Sequence, residues 1–584
     1  MNKLFGIKYK NINDINEKLN INIFNNQKIY KSINLLLINN NEPFIKYDCQ
    51  TKYVLIYNGE LLNKDELRCK LRTLGFQFKT ELDEEVILNS YIYYKENCFN
   101  HFKGAYSIII YTSNKVIIAR DKLGVKPLFY SLKDDNFIFS NEIKSLLKSN
   151  LIEPIVNEDG LKELFTMSPS FTPSLTPFKD IKMVKPGEYI IYEDNLLSKV
   201  LYYKLPIYKY SKSYKEAKYE LKELLNKSIN RLIHNKYDYG ALLSGGIDSS
   251  IVALLANKIN LDTYFLEYNN NDLYFKKNDF QRDLDKKYAL IMSKYLNSNM
   301  EILSINEEEL FNNLISSLKA RDLPGMGDID SSLYWLCNNI YNKNILTGEC
   351  SDEILGGYPW YYRDKEESKL PWLRNIEFRE NILKDEFKNL NLNEYLDYSY
   401  NELIKDYEEC SYDNIEDKKW RKLTYINIYS FMQQLLYRQE MMTTNNNINA
   451  LSPFIDIDLV EFCYNLPSNY KYKDNKEKCI LKEAFYNDLP FEITNRIKNP
   501  YPKTFSPIYK NMLINKIKEY LSDSNSTINK FYKKEEIEKL INEESNIPFY
   551  GQLMTETQFL AYLVQFEEWV KLYNIKFKIK GTLV

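Results

Sequence analysis

Histidine is almost missing from this chain. Two of 584 residues are His, His101 and His234, and the eight cysteines, at positions 49, 69, 98, 337, 350, 410, 463 and 479, include no C-x-x-C pair. Neither a zinc site nor a disulfide framework is expected, and a reduced intracellular setting suits the scattered thiols. A basic surplus is also lacking, with 78 Lys+Arg against 80 Asp+Glu, which argues against a nucleic-acid binder and leaves a small-molecule partner as the default. No apolar run reaches the roughly 18 residues of a membrane span, and the start MNKLFGIKYK has no signal-peptide core. A soluble, cytoplasmic protein without membrane contact is therefore expected. No internal repeat is visible. At roughly 100–200 residues per domain the chain is too long for one core, and two units are read from it.

Up to about residue 205 the sequence is a series of short apolar runs between turn residues: YVLIYNGEL (53–61), YSIIIYTSN (106–114), KVIIARD (115–121), FIFSNEI (137–143) and GEYIIYED (187–194). These predict an antiparallel, sheet-rich α+β domain over residues 1–205, with one helix from Asp65 to Leu74. Leu205 to Ser213, containing Pro206, reads as a linker. From residue 214 the period changes to that of a helix, and the buried run YGALL then enters a glycine turn followed by the helical SSIVALLANK. Further strands at TYFLEY (263–268) and NILTG (344–348) predict a parallel α/β sheet in a second domain, 214–584. Beyond about residue 400 the chain reads as largely helical, most clearly at 559–573.

The turn itself, SGGIDSS, carries chemistry. Gly245 and Gly246 let backbone N–H groups approach an anion, Ser244, Ser249 and Ser250 offer hydroxyls, and the following helix points its positive end at the same place. Asp248 is a carboxylate in that anion site, which is unfavourable unless a cation lies between; it is a candidate Mg²⁺ ligand. A plain Gly-Ser turn capping a helix is the competing explanation, and the strand, turn and helix order weighs against it. The spacing is not that of a Walker loop and its lysine is missing, so cleavage between the α and β phosphates of ATP is the more natural chemistry. A second acidic cluster, GECSDE (348–353), leaves the strand NILTG, which would deliver Thr347 and Gly348 to the carboxyl edge of the same sheet. Asp352 is the candidate second Mg²⁺ ligand and Glu349 a candidate general base. First-turn acids that merely complement a helix dipole are the alternative.

Together these segments resemble the asparagine synthetase family, whose synthetase domain carries SGG-x-DSS and an SGE-G-[SA]-DE-x-x-GGY motif. The resemblance continues through YNGELLNKDEL (57–67), ARDKLGVKPLFYS (119–131), FSNEIKSLL (139–147), RDLPGMGDIDSSL (321–333), GECSDEILGGYPW (348–360), KEKCILKEAF (476–485), RIKNPYPK (496–503) and YGQLMTETQFLAYL (550–563). It implies an N-terminal-nucleophile-hydrolase-like glutamine amidotransferase domain ahead of an ATP-pyrophosphatase domain. It further implies that Asp248 and Asp352 hold Mg²⁺, and that Leu242, Leu266, Thr347 and Gly348 line the nucleotide pocket. Lys478, in K-x-x-L, resembles the lysine that stabilises charge during adenylate formation, and Glu349 the residue that handles the proton of the incoming amine.

Two stretches depart from the family. Its glutaminase half begins Cys-Gly-Ile, with the thiol as nucleophile, whereas this chain has Phe5-Gly6-Ile7, no cysteine before Cys49 and no arginine before Arg68. Asn58, Gly59 and Asp83 still match the oxyanion-hole and amine-binding positions, so a degenerate glutamine pocket is expected. In the synthetase half, a segment reading D-R-x-S-M-A-x-x-x-E-x-R in the family has Glu440, Met441, Thr443, Thr444, Asn449 and Leu451 at the matching places, suggesting an acid other than aspartate or simple drift. The expected activity is an ATP- and Mg²⁺-dependent amide ligase that activates a small-molecule or peptide carboxylate as an adenylate for attack by ammonia or another amine. An intramolecular cyclase, like the family's β-lactam synthetases and lasso-peptide cyclases, and a non-catalytic subunit or regulator are the alternatives. A homodimer is compatible with either.

Overall fold

The computed structural model describes residues 3–9, 19, 27–234, 238–259, 261–275, 277, 283–363, 369–542, 548–552, 554–580 and 582–583. Two compact units divide the chain: Met1–Gly160, Pro173–Leu205 and Lys576–Val584 form the first, Leu161–Thr172 and Pro206–Ile575 the second. The division is therefore not one cut near residue 205.

The first unit holds β1 (Leu4–Lys8), β2 (Lys28–Ser32), β3 (Leu35–Asn39), β4 (Phe44–Asp48), β5 (Thr51–Leu61), β6 (Gly104–Thr112), β7 (Lys115–Arg120), β8 (Phe129–Lys133), β9 (Asn136–Ser140), β10 (Ile155–Asn157), β11 (Lys182–Met183), β12 (Glu188–Glu193) and β13 (Leu196–Leu201). Twelve of them make two antiparallel sheets, in the orders β11-β8-β9-β1-β3-β2 and β13-β12-β7-β6-β5-β4. β10 pairs instead with the C-terminal strand Lys576–Ile579. The alternation along β5 shows why its apolar run is nearly continuous. Val54 and Ile56 pack with Leu4, Leu37, Phe137 and Phe139 of the other sheet, while Tyr53, Leu55 and Tyr57 pack with Leu67, Leu71, Val86 and Leu88 from the helices Lys64–Thr73 and Asp83–Tyr94. A strand buried on both faces needs apolar residues at every position.

In the second unit, β14 (Tyr239–Leu242), β15 (Leu261–Tyr268), β16 (Asn299–Ile305), β17 (Asn344–Leu346) and β18 (Asn449–Leu451) form a parallel sheet in the order β16-β15-β14-β17-β18. The order reverses direction between β14 and β17, and open parallel sheets bind ligands at the carboxyl ends of strands flanking such a switch. The helix Tyr214–Leu232 ahead of β14 opens with a capping box, Ser213 and Glu216 each accepting the other's backbone N–H. The expected fold class, antiparallel sheets and then a parallel α/β sheet with a mainly helical remainder, is the one observed. Past residue 400 the helices are interrupted by β18 and by the two-residue strands Tyr472–Lys473 and Lys476–Glu477. No described helix is long and apolar enough to cross a membrane, and all eight cysteines are free thiols.

Candidate active site

A cavity of about 230 Å³ opens at the carboxyl ends of β14 and β17. Leaving β14, the chain turns at Gly245 with φ +68°, where a Cβ atom would lie 2.3–2.5 Å from Tyr288 and Ala289. Glycine is thus required for conformation and for space. Gly246 caps the helix Ile247–Ala256, and the Ser249 hydroxyl accepts from the Ser244 N–H at 3.3 Å and meets the Ser244 hydroxyl at 3.1 Å. These bonds hold the turn in shape with the helix N-terminus facing the cavity. From β17 the chain passes through Thr347 and Gly348, and a Cβ on Gly348 would stand 2.7 Å from the backbone nitrogen of Ser249. The two turns therefore touch backbone to backbone. Ser452, just past β18, donates to the Glu349 carbonyl at 2.6 Å, and the Thr347 N–H donates to the Leu451 carbonyl at 2.9 Å, so the edge strand fixes the second turn.

Four charged side chains converge where the turns meet. The Lys478 ammonium, fully buried, donates to both Asp248 oxygens at 2.8 Å and lies 2.5 Å from Asp352. Lys498 is 2.6 Å from Asp352 and 3.9 Å from Asp248. Ser351 donates to Asp248 at 2.7 Å. Lys478 has φ +52°, a left-handed backbone that a long side chain adopts only when its surroundings impose it. Burial alone would raise the Asp352 carboxyl, yet Lys478 and Lys498 beside it bring it down to about 2. Burial likewise opposes the charge on Lys498, and the two aspartates raise it above the usual lysine range. The next carboxyl goes the other way: burial, and then the charge of Asp352, push Glu353 up to about 8, and Tyr358 donates to it at 2.6 Å. Glu349 is paired with the buried Arg438 at 2.9 Å.

Of the residues singled out in the sequence, Leu242, Ser244, Gly246, Asp248, Ser249, Leu266, Thr347, Gly348, Glu349, Asp352 and Lys478 all line this cavity. Ser250 does not: its hydroxyl is buried in the first helical turn, without a hydrogen-bond partner, on the face turned away. Gly245 shapes the turn from behind. Asn449 and Leu451 lie on the edge strand β18, paired with Asn344 and Leu346, and Glu440 and Met441 are buried in the helix Met432–Thr444; none of them lines the cavity, so these departures act beneath it. Lys498 and Arg438 were not foreseen. Nor was Arg496, which stacks on Tyr288 at 4.0 Å, donates to the Ser244 carbonyl at 3.1 Å and pairs with Asp285. Among the described residues no group of three or more His, Cys, Asp or Glu side chains could enclose a metal. Two carboxylates alone are the donor set typical of Mg²⁺, which completes its shell with water and substrate phosphates, so Asp248 and Asp352 fit such an ion.

In the first unit, Phe5 lies in β1 between Ile38 of β3 and Ser140 of β9 and is 1% exposed. Asn58 and Gly59 sit late in β5, opposite Ser107 and Tyr106. A Cβ on Gly59 would be 2.1 Å from the Ala105 carbonyl oxygen. The Asp83 carboxylate accepts from the Leu61 N–H at 2.8 Å and the Tyr57 hydroxyl at 3.2 Å, and it pairs with Lys64 at 3.2 Å.

The asparagine synthase family model matches residues 220–571, and the glutamine amidotransferase domain model matches residues 33–203. The chain is 35% identical over 538 residues to asparagine synthetase [glutamine-hydrolyzing] 3 of Bacillus subtilis, covering 90% of this chain and 88% of that protein. It is 26% identical to asparagine synthetase [glutamine-hydrolyzing] 1 of the same organism, over 85% of this chain and 82% of the relative. It is also 25% identical to amidase chyE of Penicillium rubens, over 84% and 82% of the two chains. The fold, the cavity and these matches define an ATP-dependent carbon–nitrogen ligase, which joins a carboxylate to ammonia or an amine. Within that class the chain belongs to the asparagine synthetase family.

Proposed function

We propose that this chain forms an acyl-adenylate in the second unit and passes the acyl group to ammonia or another amine that does not come from glutamine hydrolysis in the first. The observation that carries the ligase half is the cluster of Asp248, Asp352, Lys478 and Lys498 at the strand switch point. A carboxylate oxygen of the substrate attacks the α-phosphorus of ATP; the new O–P bond forms as the α–β bridging bond breaks, and pyrophosphate leaves. Mg²⁺, held by Asp248 and Asp352, would neutralise the leaving pyrophosphate. Lys478 and Lys498 supply two further positive charges where the negative charge grows, and preorganised charge of this kind is the largest single contribution in many active sites. The Ser244–Ser249 turn and the helix N-terminus hold the phosphates. The amine nitrogen then attacks the acyl carbon, the bond to AMP breaks, and Glu349, oriented by Arg438, takes the proton.

The sequence at 5–7, where the family has its nucleophilic cysteine, supports the loss of glutamine hydrolysis. Phe5 fills that position as a core residue, and the Asp83 carboxylate is occupied by Leu61, Tyr57 and Lys64. The test is to incubate the purified protein with ATP, Mg²⁺, a panel of carboxylic acids and either ammonium or glutamine, measuring pyrophosphate, AMP and glutamate. Pyrophosphate and AMP released with ammonium, and no glutamate from glutamine, are expected. Glutamate release abolished by no mutation in the second unit would overturn the second half of the proposal, and pyrophosphate release unaffected by Asp248→Ala would overturn the first.

A further inference from the structure

The second unit holds another cavity, of about 20 Å³, a volume with room for one water-sized particle. Its lining consists of three aliphatic side chains, five aromatic ones and Arg379, all from the second unit.

Arg379, from the helix Ile376–Asn381, is 6% exposed. Its guanidinium is held by carbonyl oxygens: one terminal nitrogen donates to Phe165, Thr166 and Ser168 at 3.2, 3.0 and 3.0 Å, the other to Phe549 at 3.1 Å. Carbonyls orient the group and carry no net charge. The other four buried arginines of this unit each pair with a carboxylate, Arg321 with Asp330, Arg421 with Asp413, Arg438 with Glu349 and Arg496 with Asp285. Among the described residues no carboxylate pairs with Arg379. Burial brings its guanidinium down from 12.5 to about 10, opposed by the tyrosines Tyr562, Tyr550 and Tyr532, so it is still charged at neutral pH. Its Nε–H is buried without an acceptor.

An unmatched charge and an orphaned donor on one group beside a cavity ask for one occupant. Water would satisfy the donor and leave the charge; a small anion satisfies both. Tetrahedral oxyanions are too large for the space.

We propose that this cavity is a halide site, filled by chloride that accepts the Nε–H of Arg379. The same guanidinium holds the Phe549 carbonyl, and the chain continues to Gly551 and Gln552 in the wall of the active cavity. Chloride therefore also braces that wall.

Crystals of the full-length protein grown in bromide test the site, and an anomalous difference peak beside Arg379 Nε is expected. Density there without anomalous signal, or a carboxylate of the chain in its place, overturns the proposal. Bromide peaks confined to the surface, an adventitious ion only, overturn it too. In solution, chloride in place of gluconate at equal ionic strength is expected to raise Tm by about 2 °C at about ten times its dissociation constant. Leu383→Phe, which fills the cavity and leaves Arg379 in place, is expected to remove that rise; an equal rise in the variant overturns the assignment to this cavity. The bracing is read from pyrophosphate release and rests on the ligase reading above. Release about fivefold higher in chloride than in gluconate is expected. Equal release alongside the bromide peak overturns the bracing and keeps the site. No release in either salt alongside the peak overturns the ligase reading, and the bracing with it, and leaves the halide site standing.

Discussion

In the first unit, two of the positions that resemble the family's glutamine site are engaged by the fold, Phe5 in the core and Asp83 with its own strand and helix neighbours, while the buried Asn58 Nδ2 has no partner. In the second unit the comparable positions converge on open space, and three buried charges, with the partly exposed Lys498, are held there against the cost of desolvation. A fold can persist with a site filled in, because apolar replacement of a polar site is often neutral or stabilising. It has no reason to keep Lys478 and Lys498 against Asp248 and Asp352 unless the charges are used. Under the proposed function, packing accounts for the first site and chemistry for the second.

The sharpest way to break this contrast is Asp248→Ala. Removing one member leaves the buried Lys478 with a single carboxylate, and pyrophosphate release is expected to fall by about 10³-fold or more; retention of more than a tenth of the activity would mean that the cluster is structural, like its counterpart in the first unit. Gly348→Ala comes next. The added methyl would press on the Ser249 backbone at 2.7 Å, and a displacement of the turns by about 1 Å is expected to cost roughly 10²-fold in rate, read by steady-state kinetics alongside an unchanged far-ultraviolet circular dichroism spectrum. In the first unit, Phe5→Cys restores the residue type of the family's nucleophile in a place that packing now governs. It is expected to lower unfolding free energy by about 3 kcal/mol in a denaturant titration and to yield no glutamate from glutamine.

The smallest effect concerns one buried carboxyl in each unit. Asp121 accepts four backbone N–H groups, from Tyr106, Leu123, Val125 and Lys126, whereas Asp328 keeps one oxygen without a partner. Burial pushes Asp328 up to about 6 from an ordinary 3.8, with Lys503 opposing the shift. The folded protein therefore holds that proton over a range in which the unfolded chain has lost it. Stability from this group is complete below about pH 4 and is lost as pH rises through about 6. Asp328→Asn should remove that loss, making the variant more stable than the parent above pH 6 by at most about 3 kcal/mol and no more stable at pH 4, as measured by denaturant melts.

What could be read from the sequence is what is local in it. SGGIDSS and GECSDE announce themselves because a strand, a glycine turn and a helix start are consecutive, and their geometry follows from residues a few positions apart. Ser250 was credited too much, since consecutive residues on a helix point about 100° apart and only Ser249 faces the cavity. Lys498 was invisible for the opposite reason. It lies on a loop without regular structure, and its place is set by Arg496 reaching Asp285 and Ser244, more than 200 residues away in sequence. The one local signal was the pair Pro500 and Pro502 in NPYPK, which stiffens the loop. Among the strands that escaped, β2 and β16 have exposed positions that break the apolar run, whereas β1 and β3 are fully buried but only five residues long.

Gly357 closes over the cluster so tightly that a Cβ there would lie 1.9 Å from Asp352 Oδ1 and 2.4 Å from Lys478 Cε. That bare backbone lets the Asp352 carboxylate and the Lys478 side chain pack directly against the chain. Dissolved salt screens exposed charges over about 8 Å at physiological ionic strength, and largely buried pairs such as these much less. The catalytic charges should therefore act with nearly the same strength in dilute buffer and in concentrated salt, while the pairs on the protein's surface weaken.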